Sequence, residues 1–233
     1  MPRLLPALLL PLLFAVAGKA VGGVTLPGAV AGFAVAFALY YCIGPGGFVV
    51  LVAVFVATWM ATRFGYSRKQ RLGIAESRGG RNAGQVLANL GVSGILAVTG
   101  MFVTPELACL GSMEALASAA ADTAGSECGE AWSDTAYLIT SLRPVTAGTD
   151  GAITALGTMA GAVAAAAIAM AALWSGILAW PLALVAGIAG FFGTIVDSLL
   201  GATLERRGWM NNNAVNFSST LAAAMIAVLF SFV

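Results

Sequence analysis

Residues 177–203, ILAWPLALVAGIAGFFGTIVDSLLGAT, form a long apolar run in which Asp197 is the only charged residue. A helix that spans a bilayer needs about 20 predominantly apolar residues, so this run is long enough to cross a membrane. An acid inside such a run marks a candidate functional position. A kink or a break in the helix is predicted from four residues of the run: Pro181, Gly187, Gly190 and Gly193.

Further apolar runs of comparable length occupy most of the chain. They are residues 3–18, 24–43, 46–64, 83–103, 106–126, 152–174 and 213–233. Because the runs are continuous and do not alternate apolar with polar residues, they exclude a transmembrane β-barrel. The first run has features of a signal peptide and is interpreted as a first membrane helix. The sequence predicts an all-α, polytopic membrane helix bundle of about seven to eight transmembrane helices, in a single integral membrane domain covering residues 1–233.

The composition supports the same class and excludes several others. Hydrophobic residues make up 60% of the chain, charged residues only 9%, and the mean hydropathy is +0.94, whereas a soluble domain carries about 25% charged residues. The net charge of +1 gives no sign of a nucleic-acid partner. The chain has no histidine, and its three cysteines show no paired spacing. Histidine-based catalysis, a zinc site and a disulfide framework are therefore excluded.

The distribution of basic residues predicts the orientation in a cell membrane. Six of the eleven lie close together: Arg63, Arg68, Lys69, Arg71, Arg78 and Arg81. Basic residues concentrate in cytoplasmic loops, so the loop 65–82 is predicted to be cytoplasmic. Alternation then places the loop 127–150 and the loop after residue 203 on the same side, and the amino terminus outside. Every polar cluster of the chain consequently falls at the cytoplasmic ends of the helices.

The first polar cluster is ADTAGSECGE, residues 121–130. Asp122 lies on one helix face with Glu114, which is expected to face the bundle interior because an acid in the bilayer is costly. Glu127 is predicted to lie just past the helix end. A functional role for Asp122 and Glu127 is favoured over solvated acids that cap a helix end.

The second cluster is GTDGAITALGTMAG, residues 148–161. Thr149 or Asp150 is predicted to cap a helix that starts near Gly151, and the glycines allow a close approach of the backbone to a ligand. A helix amino terminus of small residues suits a phosphate group. Tight helix packing through glycines explains the same pattern and, for this cluster alone, is the favoured reading.

The third group is acidic and includes Asp197 and Glu205, which lie eight residues apart on similar helix faces. Three or four carboxylates at one depth would repel one another unless a cation binds. Magnesium is the metal expected there, because it prefers carboxylate and phosphate oxygens as ligands. The alternative for Asp197 is a buried ion pair with Arg206 or Arg207.

The remaining candidate binding residues are amides and arginines. Asn82, Gln85 and Asn89 lie on one helix face, and further asparagines precede the last helix. They suit hydrogen bonds to a nucleotide, and capping or interhelical hydrogen bonding is the equally favoured alternative. Arg78 and Arg81 suit phosphate binding, although the cytoplasmic loop charge alone explains most of the basic residues there.

Several of these motifs occur together in one known family. The series RNAGQVLANLG, ASAAADTAGSECG, GTDGAITALGTMAG, GFFGTIVDSLLGAT and NNNAVNFSST resembles integral membrane proteins that include the chloroplast phytyl-phosphate kinases and their bacterial and archaeal relatives. The resemblance covers about residues 20–233. It implies phosphorylation of an isoprenyl monophosphate, such as phytyl or geranylgeranyl phosphate, to the diphosphate by CTP or ATP. ADTAGS and VDSLLG are also loosely similar to signatures of CTP-using membrane enzymes.

Residue chemistry and resemblance together give these expectations. Asp122, Asp150 and Asp197 would hold Mg²⁺, Glu127 would be a further ligand or would orient the acceptor, and the prenyl chain would lie beside the short first helices. Predicted substrate and nucleotide contacts are Arg78, Arg81, Asn82, Gln85, Asn89, Thr123, Ser126, Gly148, Thr149, Gly151, Thr154, Ser198, Asn212 and Asn216. A homo-oligomer is compatible with the sequence. Two alternatives stay open: a cytidylyltransferase that makes a CDP-lipid, and a transporter, which the one-sided polar clusters disfavour.

Overall fold

The computed structural model describes residues 3–230, and the predicted all-α membrane bundle is confirmed. Its helices are α1 (Leu4–Ala20), α2 (Leu26–Ala38), α3 (Pro45–Arg63), α4 (Tyr66–Leu72), α5 (Ala83–Thr99), α6 (Pro105–Trp132), α7 (Ala155–Trp174), α8 (Trp180–Leu200) and α9 (Asn212–Phe230). The strands are β1 (Thr135–Leu138), β2 (Pro144–Thr146) and β3 (Ala152–Ile153). Single π-helical turns follow α2 at Leu39–Ile43 and α8 at Gly201–Glu205.

Four helical segments are long and apolar enough to cross a bilayer by length and composition. They are Leu26–Ile43, Pro45–Arg63, Ala155–Trp174 and Trp180–Glu205. The apolar helices α1 and α5 are somewhat shorter. Large apolar side chains such as Leu13, Val30 and Val163 are exposed on the outer faces of these helices, as expected for groups that contact lipid. The protein is therefore a multi-pass membrane protein.

Helix α6 is the centre of the bundle. It has 28 residues, is about 42 Å long, and is buried along most of its length. Helices α3, α5, α7, α8 and α9 pack around it, whereas α2 packs on α5 and α1 packs on α2. Glu114 is fully buried, as predicted. The predicted end of this helix near residue 126 is wrong: α6 continues to Trp132 because Gly129 and Ala131 are still packed against Thr154 and Gly65.

Glycines bring α6 and α7 into close contact. A Cβ atom on Gly157 would lie 2.5 Å from the backbone oxygen of Gly125, and one on Gly161 would lie 3.0 Å from that of Ala121. The packing explanation of the glycines in 148–161 therefore holds for these two residues. The predicted start of the helix near Gly151 is wrong. Helix α7 begins at Ala155, and the Oγ1 atom of Thr154 caps it by accepting a hydrogen bond from the Gly157 amide at 2.9 Å.

We expect Gly157→Ala to destabilise the protein by about 1–3 kcal/mol, since the added methyl group would push α6 and α7 apart. The matched control is Gly91→Ala in α5, where the new Cβ would meet only Phe217 at 3.8 Å. That change should be neutral or slightly stabilising, because alanine has the higher helix propensity. Unfolding of both variants in detergent micelles measures the difference. Equal stability of the two would contradict the close α6–α7 contact.

Helix α8 has no break at its glycines, contrary to the sequence prediction. Pro181 lies in the first turn, where its missing N–H needs no helical partner. Gly190 and Gly193 instead allow close contact with α6, since a Cβ on Gly193 would lie 2.1 Å from the Oγ atom of Ser118. The irregular segment of this helix is the π-helical turn Gly201–Glu205 after it.

The polar loops gather at one end of the bundle. The sequence did not predict the three-stranded antiparallel sheet, of order β2-β1-β3, between α6 and α7.

The turn after α1 is hydrogen-bonded to the loop before α5. The Arg81 amide donates to the Gly23 carbonyl at 3.1 Å, and the Arg81 carbonyl accepts from the Thr25 amide at 3.0 Å. Gly80, at a φ of +80°, permits this contact because a side chain there would collide with the Gly23 backbone.

Candidate functional site

Two cavities meet at the loop-rich end of the bundle. A polar cavity of about 760 Å³ lies among the ends of α5, α6, α7, α8 and α9 and the small sheet. An apolar cavity of about 460 Å³ lies among α1, α2, α3, α5 and α6. Four polar residues line both cavities: Glu76, Arg81, Gln85 and Asn89. The arrangement joins a polar compartment to a hydrophobic one across a narrow polar boundary.

The polar cavity contains a pair of carboxyl groups, Asp122 on α6 and Asp197 on α8, which lie within hydrogen-bonding reach of each other. The parallel packing of the two helices explains their meeting. Ser118 of α6 contacts Gly193 of α8, and each aspartate lies four residues, about one helical turn, further along its own helix.

The alternative ion pair of Asp197 with Arg206 or Arg207 is not formed. The Oδ2 atom of Asp197 accepts a hydrogen bond from Ser219 Oγ at 3.0 Å. Both arginines are exposed, and the ion pairs within residues 3–230 are Arg68–Asp134 and Lys69–Glu127. Asp197 therefore contacts another carboxyl group and a hydroxyl group, and it forms no ion pair with a basic side chain of the described residues.

Arg81 supplies positive charge beside this pair. Its side chain interacts electrostatically with Asp122 and donates from Nη2 to Thr123 Oγ1 at 3.3 Å. Its backbone is fixed by the hydrogen bonds to Gly23 and Thr25 described above. Arg81 thus presents a cation at the boundary between the two cavities, next to the acid pair.

The predicted three-aspartate magnesium site is not formed in the described part of the chain, where no three acidic or cysteine side chains are grouped to hold a metal. Asp150 lies instead in the exposed turn near Glu205, which also interacts with Asp122. Mg²⁺ is commonly bound through one or two carboxylates together with substrate phosphates and water. The pair Asp122–Asp197 fits that mode, and Asp150 lines the same polar cavity without joining the pair in a three-carboxylate group.

Glu127 differs from its predicted role as a metal ligand or acceptor-orienting group. It lies inside α6, is buried, and forms an ion pair with the Nζ atom of Lys69. Lys69 is fully buried on the short helix α4 and also donates to the Thr62 carbonyl at 3.0 Å. Glu127 reaches the wall of the polar cavity, but its charge is already compensated, so the pair fixes α4 to α6.

Among the predicted amide contacts, one residue caps a helix and the others line the cavities. Asn82 lines neither cavity: its Oδ1 accepts from the Gln85 amide at 3.0 Å and caps α5, as the capping alternative anticipated. Gln85 donates to Glu76 at 3.0 Å, and Asn89 donates to the Gln85 carbonyl at 2.9 Å. Both still line the two cavities. Asn212 and the buried Asn216 line the polar cavity.

The remaining predicted contacts lie mostly in the polar cavity. Those that line it are Thr123, Ser126, Gly148, Thr149, Gly151, Thr154 and Ser198. Gly151 is needed for protein packing, since a Cβ there would lie 2.2 Å from the Ala202 amide nitrogen. The close backbone contact that Gly151 permits is therefore with the turn after α8, whereas the sequence pattern predicted a close contact with a ligand. Arg78 lines the mouth of the apolar cavity and not the polar one.

Sequence reasoning missed Lys69 as the partner of Glu127, Ser219 as the hydrogen-bond donor to Asp197, and Glu76 at the boundary of the cavities. Nothing in the local sequence separates Lys69 from its basic neighbours Arg68 and Arg71. Ser219 lies in the polar motif NNNAVNFSST, residues 211–220, but the motif alone does not distinguish Ser219 from its polar neighbours.

The fold and the site define a helical membrane protein with a polar site at one end of the bundle. The family described as integral membrane protein DUF92 matches residues 9–224, and the chain belongs to that family. It is 31% identical over 195 residues to the uncharacterized membrane protein sll0875 of Synechocystis, covering 82% of this chain and 76% of the relative. The uncharacterized membrane protein MJ0933 of Methanocaldococcus jannaschii is 34% identical over 192 residues, covering 82% and 78%.

A plant relative extends the similarity over more of the chain. Protein VTE6, chloroplastic, of Arabidopsis thaliana is 28% identical over 218 residues, which cover 90% of this chain and 66% of the plant protein. No solved structure matches the chain.

Proposed function

We propose that the protein is a membrane-embedded kinase that transfers a phosphoryl group from a nucleoside triphosphate to an isoprenyl monophosphate, giving the diphosphate. The observation that carries the proposal is the junction of an acid- and amide-lined cavity with an apolar cavity at Arg81. A nucleotide suits the first cavity and an isoprenyl chain the second. The resemblance to the phytyl-phosphate kinases and the similarity to Protein VTE6 support the same chemistry.

The reaction asks the protein mainly for positioning and charge neutralisation. An oxygen of the acceptor monophosphate forms a bond to the γ-phosphorus while the bond from that phosphorus to the nucleoside diphosphate breaks. The acceptor oxygen is already anionic, so no general base is needed. Arg81 would bind phosphate oxygens at the boundary of the cavities. A magnesium ion would be held by Asp122 and Asp197 and would neutralise charge on the phosphates.

The position of the label in the product tests this function. Purified protein in lipid nanodiscs is incubated with geranylgeranyl phosphate, Mg²⁺, and CTP or ATP labelled at either the α- or the γ-phosphorus. We expect a labelled lipid diphosphate from the γ-label alone. A lipid labelled from α-labelled CTP would identify a cytidylyltransferase. No labelled lipid from either donor would reject both enzymes and favour transport.

The site is proposed to face the cytoplasm, where nucleotides are available. In a variant whose three native cysteines are replaced by alanine, Ser77→Cys should resist an impermeant thiol reagent added to intact cells, because Ser77 lies in the basic loop at the polar end. Val103→Cys, an exposed position in the loop between α5 and α6 at the other end, should be labelled. The reverse pattern would contradict the cytoplasmic placement.

A further inference from the structure

The apolar cavity has the shape of a slot that runs along α3. Its lining on that helix extends from Leu51 to Arg63, a distance of about 18 Å at 1.5 Å per residue. Hydrophobic and small residues of α1, α2 and α5 form the other walls. The slot therefore has room for one extended apolar chain reaching about half way through the hydrocarbon core, which is about 30 Å thick.

The charged groups of the slot are confined to its mouth. Arg63, Arg78 and Arg81 lie there, with Glu76 as the one acid among the residues that line the slot. The Nη2 atom of Arg63 donates to the Val21 carbonyl at 2.9 Å, which holds this side chain at the rim. A cationic mouth above an apolar slot is complementary to an amphiphile with one chain and an anionic head group.

Aromatic rings close the deep end of the slot. Phe14 of α1 packs edge-on against Phe55 and Phe48 of α3, with ring centroids 5.2 Å and 5.6 Å apart. Phe48 in turn contacts Tyr40 at 5.8 Å. Phe14 and Phe48 adjoin the main hydrophobic core, so the floor of the slot is packed and a longer chain cannot extend it without displacing these rings.

One residue of the slot wall has free space in front of it. A Cβ atom built on Gly32 of α2 would meet no atom within 4 Å, which is true of no other glycine inside an α-helix within residues 3–230. Gly32 lines the slot near its closed end, beyond Gly28 and Ala29 on the same helix. A side chain at this position would occupy the space that the far end of a bound chain needs.

We propose that Gly32 determines the length of the isoprenyl chain that the protein accepts, because the absence of a side chain there leaves the deep end of the slot open. The assignment rests on the proposed function for the nature of the chain, and on the slot itself for its position. Larger residues at 32 shorten the slot in steps, and the preference moves toward shorter chains.

A graded series tests the assignment: Gly32→Ala, Gly32→Val and Gly32→Leu. Phosphorylation of geranyl phosphate, with two isoprene units, is compared with that of geranylgeranyl phosphate, with four. The ratio of kcat/KM for the long over the short substrate should fall along the series, by about tenfold or more for Gly32→Leu, since one methylene group in an apolar pocket contributes at least that much discrimination. Gly32→Ala meets no steric obstacle and serves as the folded reference.

The matched control is Ala34→Leu, which adds similar bulk to the same helix at an exposed position outside the slot. It should leave the ratio unchanged. A binding measurement separates this inference from the kinase activity: without nucleotide, thermal stabilisation by hexadecyl phosphate relative to decyl phosphate should fall in Gly32→Leu but not in Ala34→Leu. An unchanged preference in both measurements would overturn the role of Gly32. A shifted binding preference without any phosphorylation would reject the kinase alone.

Discussion

Asp197→Asn is expected to reduce phosphoryl transfer by about 10²–10³-fold, the loss typical when one preorganised electrostatic group is removed from an active site. The substitution keeps the shape of the side chain, and the amide oxygen can still accept the hydrogen bond from Ser219. It replaces one carboxyl group of the pair with Asp122 by a neutral amide, which cannot supply a negative charge to a bound cation. Since neighbouring carboxylates repel each other, the variant should be at least as stable as the parent protein.

The matched control for this prediction is Asp134→Asn. Asp134 is an exposed acid at the same end of the molecule, is paired with Arg68 and lines neither cavity. Its loss should leave transfer within about twofold and stability within about 1 kcal/mol, as for other surface ion pairs. Thermal unfolding and γ-phosphate transfer are measured for both variants. Full activity in Asp197→Asn would remove Asp197 from the reaction.

Lys69→Met should be the most destabilising of the changes considered. It would leave the buried carboxylate of Glu127 without its cation, and breaking a buried ion pair in this way commonly costs about 3–5 kcal/mol. The side chain of Lys69 is fully inaccessible to solvent and donates to two backbone carbonyls besides Glu127. The free energy of unfolding in mixed detergent micelles provides the measurement.

Arg68→Met is the control for Lys69→Met, because it changes the neighbouring cation on the same short helix. Arg68 pairs with the exposed Asp134, so its loss should change stability by no more than about 1 kcal/mol. In the double variant Lys69→Met/Glu127→Gln, removal of the second charge should restore part of the lost stability. Equal stabilities of the two single variants would contradict the buried pair.

The bundle was predictable because apolar runs of bilayer length leave few alternatives to membrane helices. Asp197 was identifiable for a related reason: an acid inside such a run needs a partner. Its true partners were not identifiable. They depend on the contact between Gly193 and Ser118, which sets the register of α8 against α6 and brings Asp122 and Asp197 together.

Other parts of the site depend on packing between distant segments. The end of the apolar run at residue 126 suggested a helix end before Glu127, but Gly125 and Gly129 let α7 approach α6, and the helix continues. The small sheet at residues 135–153 and the turn Gly201–Glu205 are set by contacts such as that of Gly151 with Ala202. Local sequence patterns do not predict these contacts.

The most direct measurement is a cryo-electron microscopy structure of the protein with Mg²⁺, a non-hydrolysable nucleoside triphosphate and geranylgeranyl phosphate. The proposal predicts the nucleotide phosphates beside Asp122 and Asp197, the isoprenyl chain in the slot that ends near Gly32, and the acceptor phosphate at Arg81 facing the γ-phosphate. A nucleotide bound outside the polar cavity, or a lipid head group on the far side of the membrane from it, would contradict the proposed phosphoryl transfer.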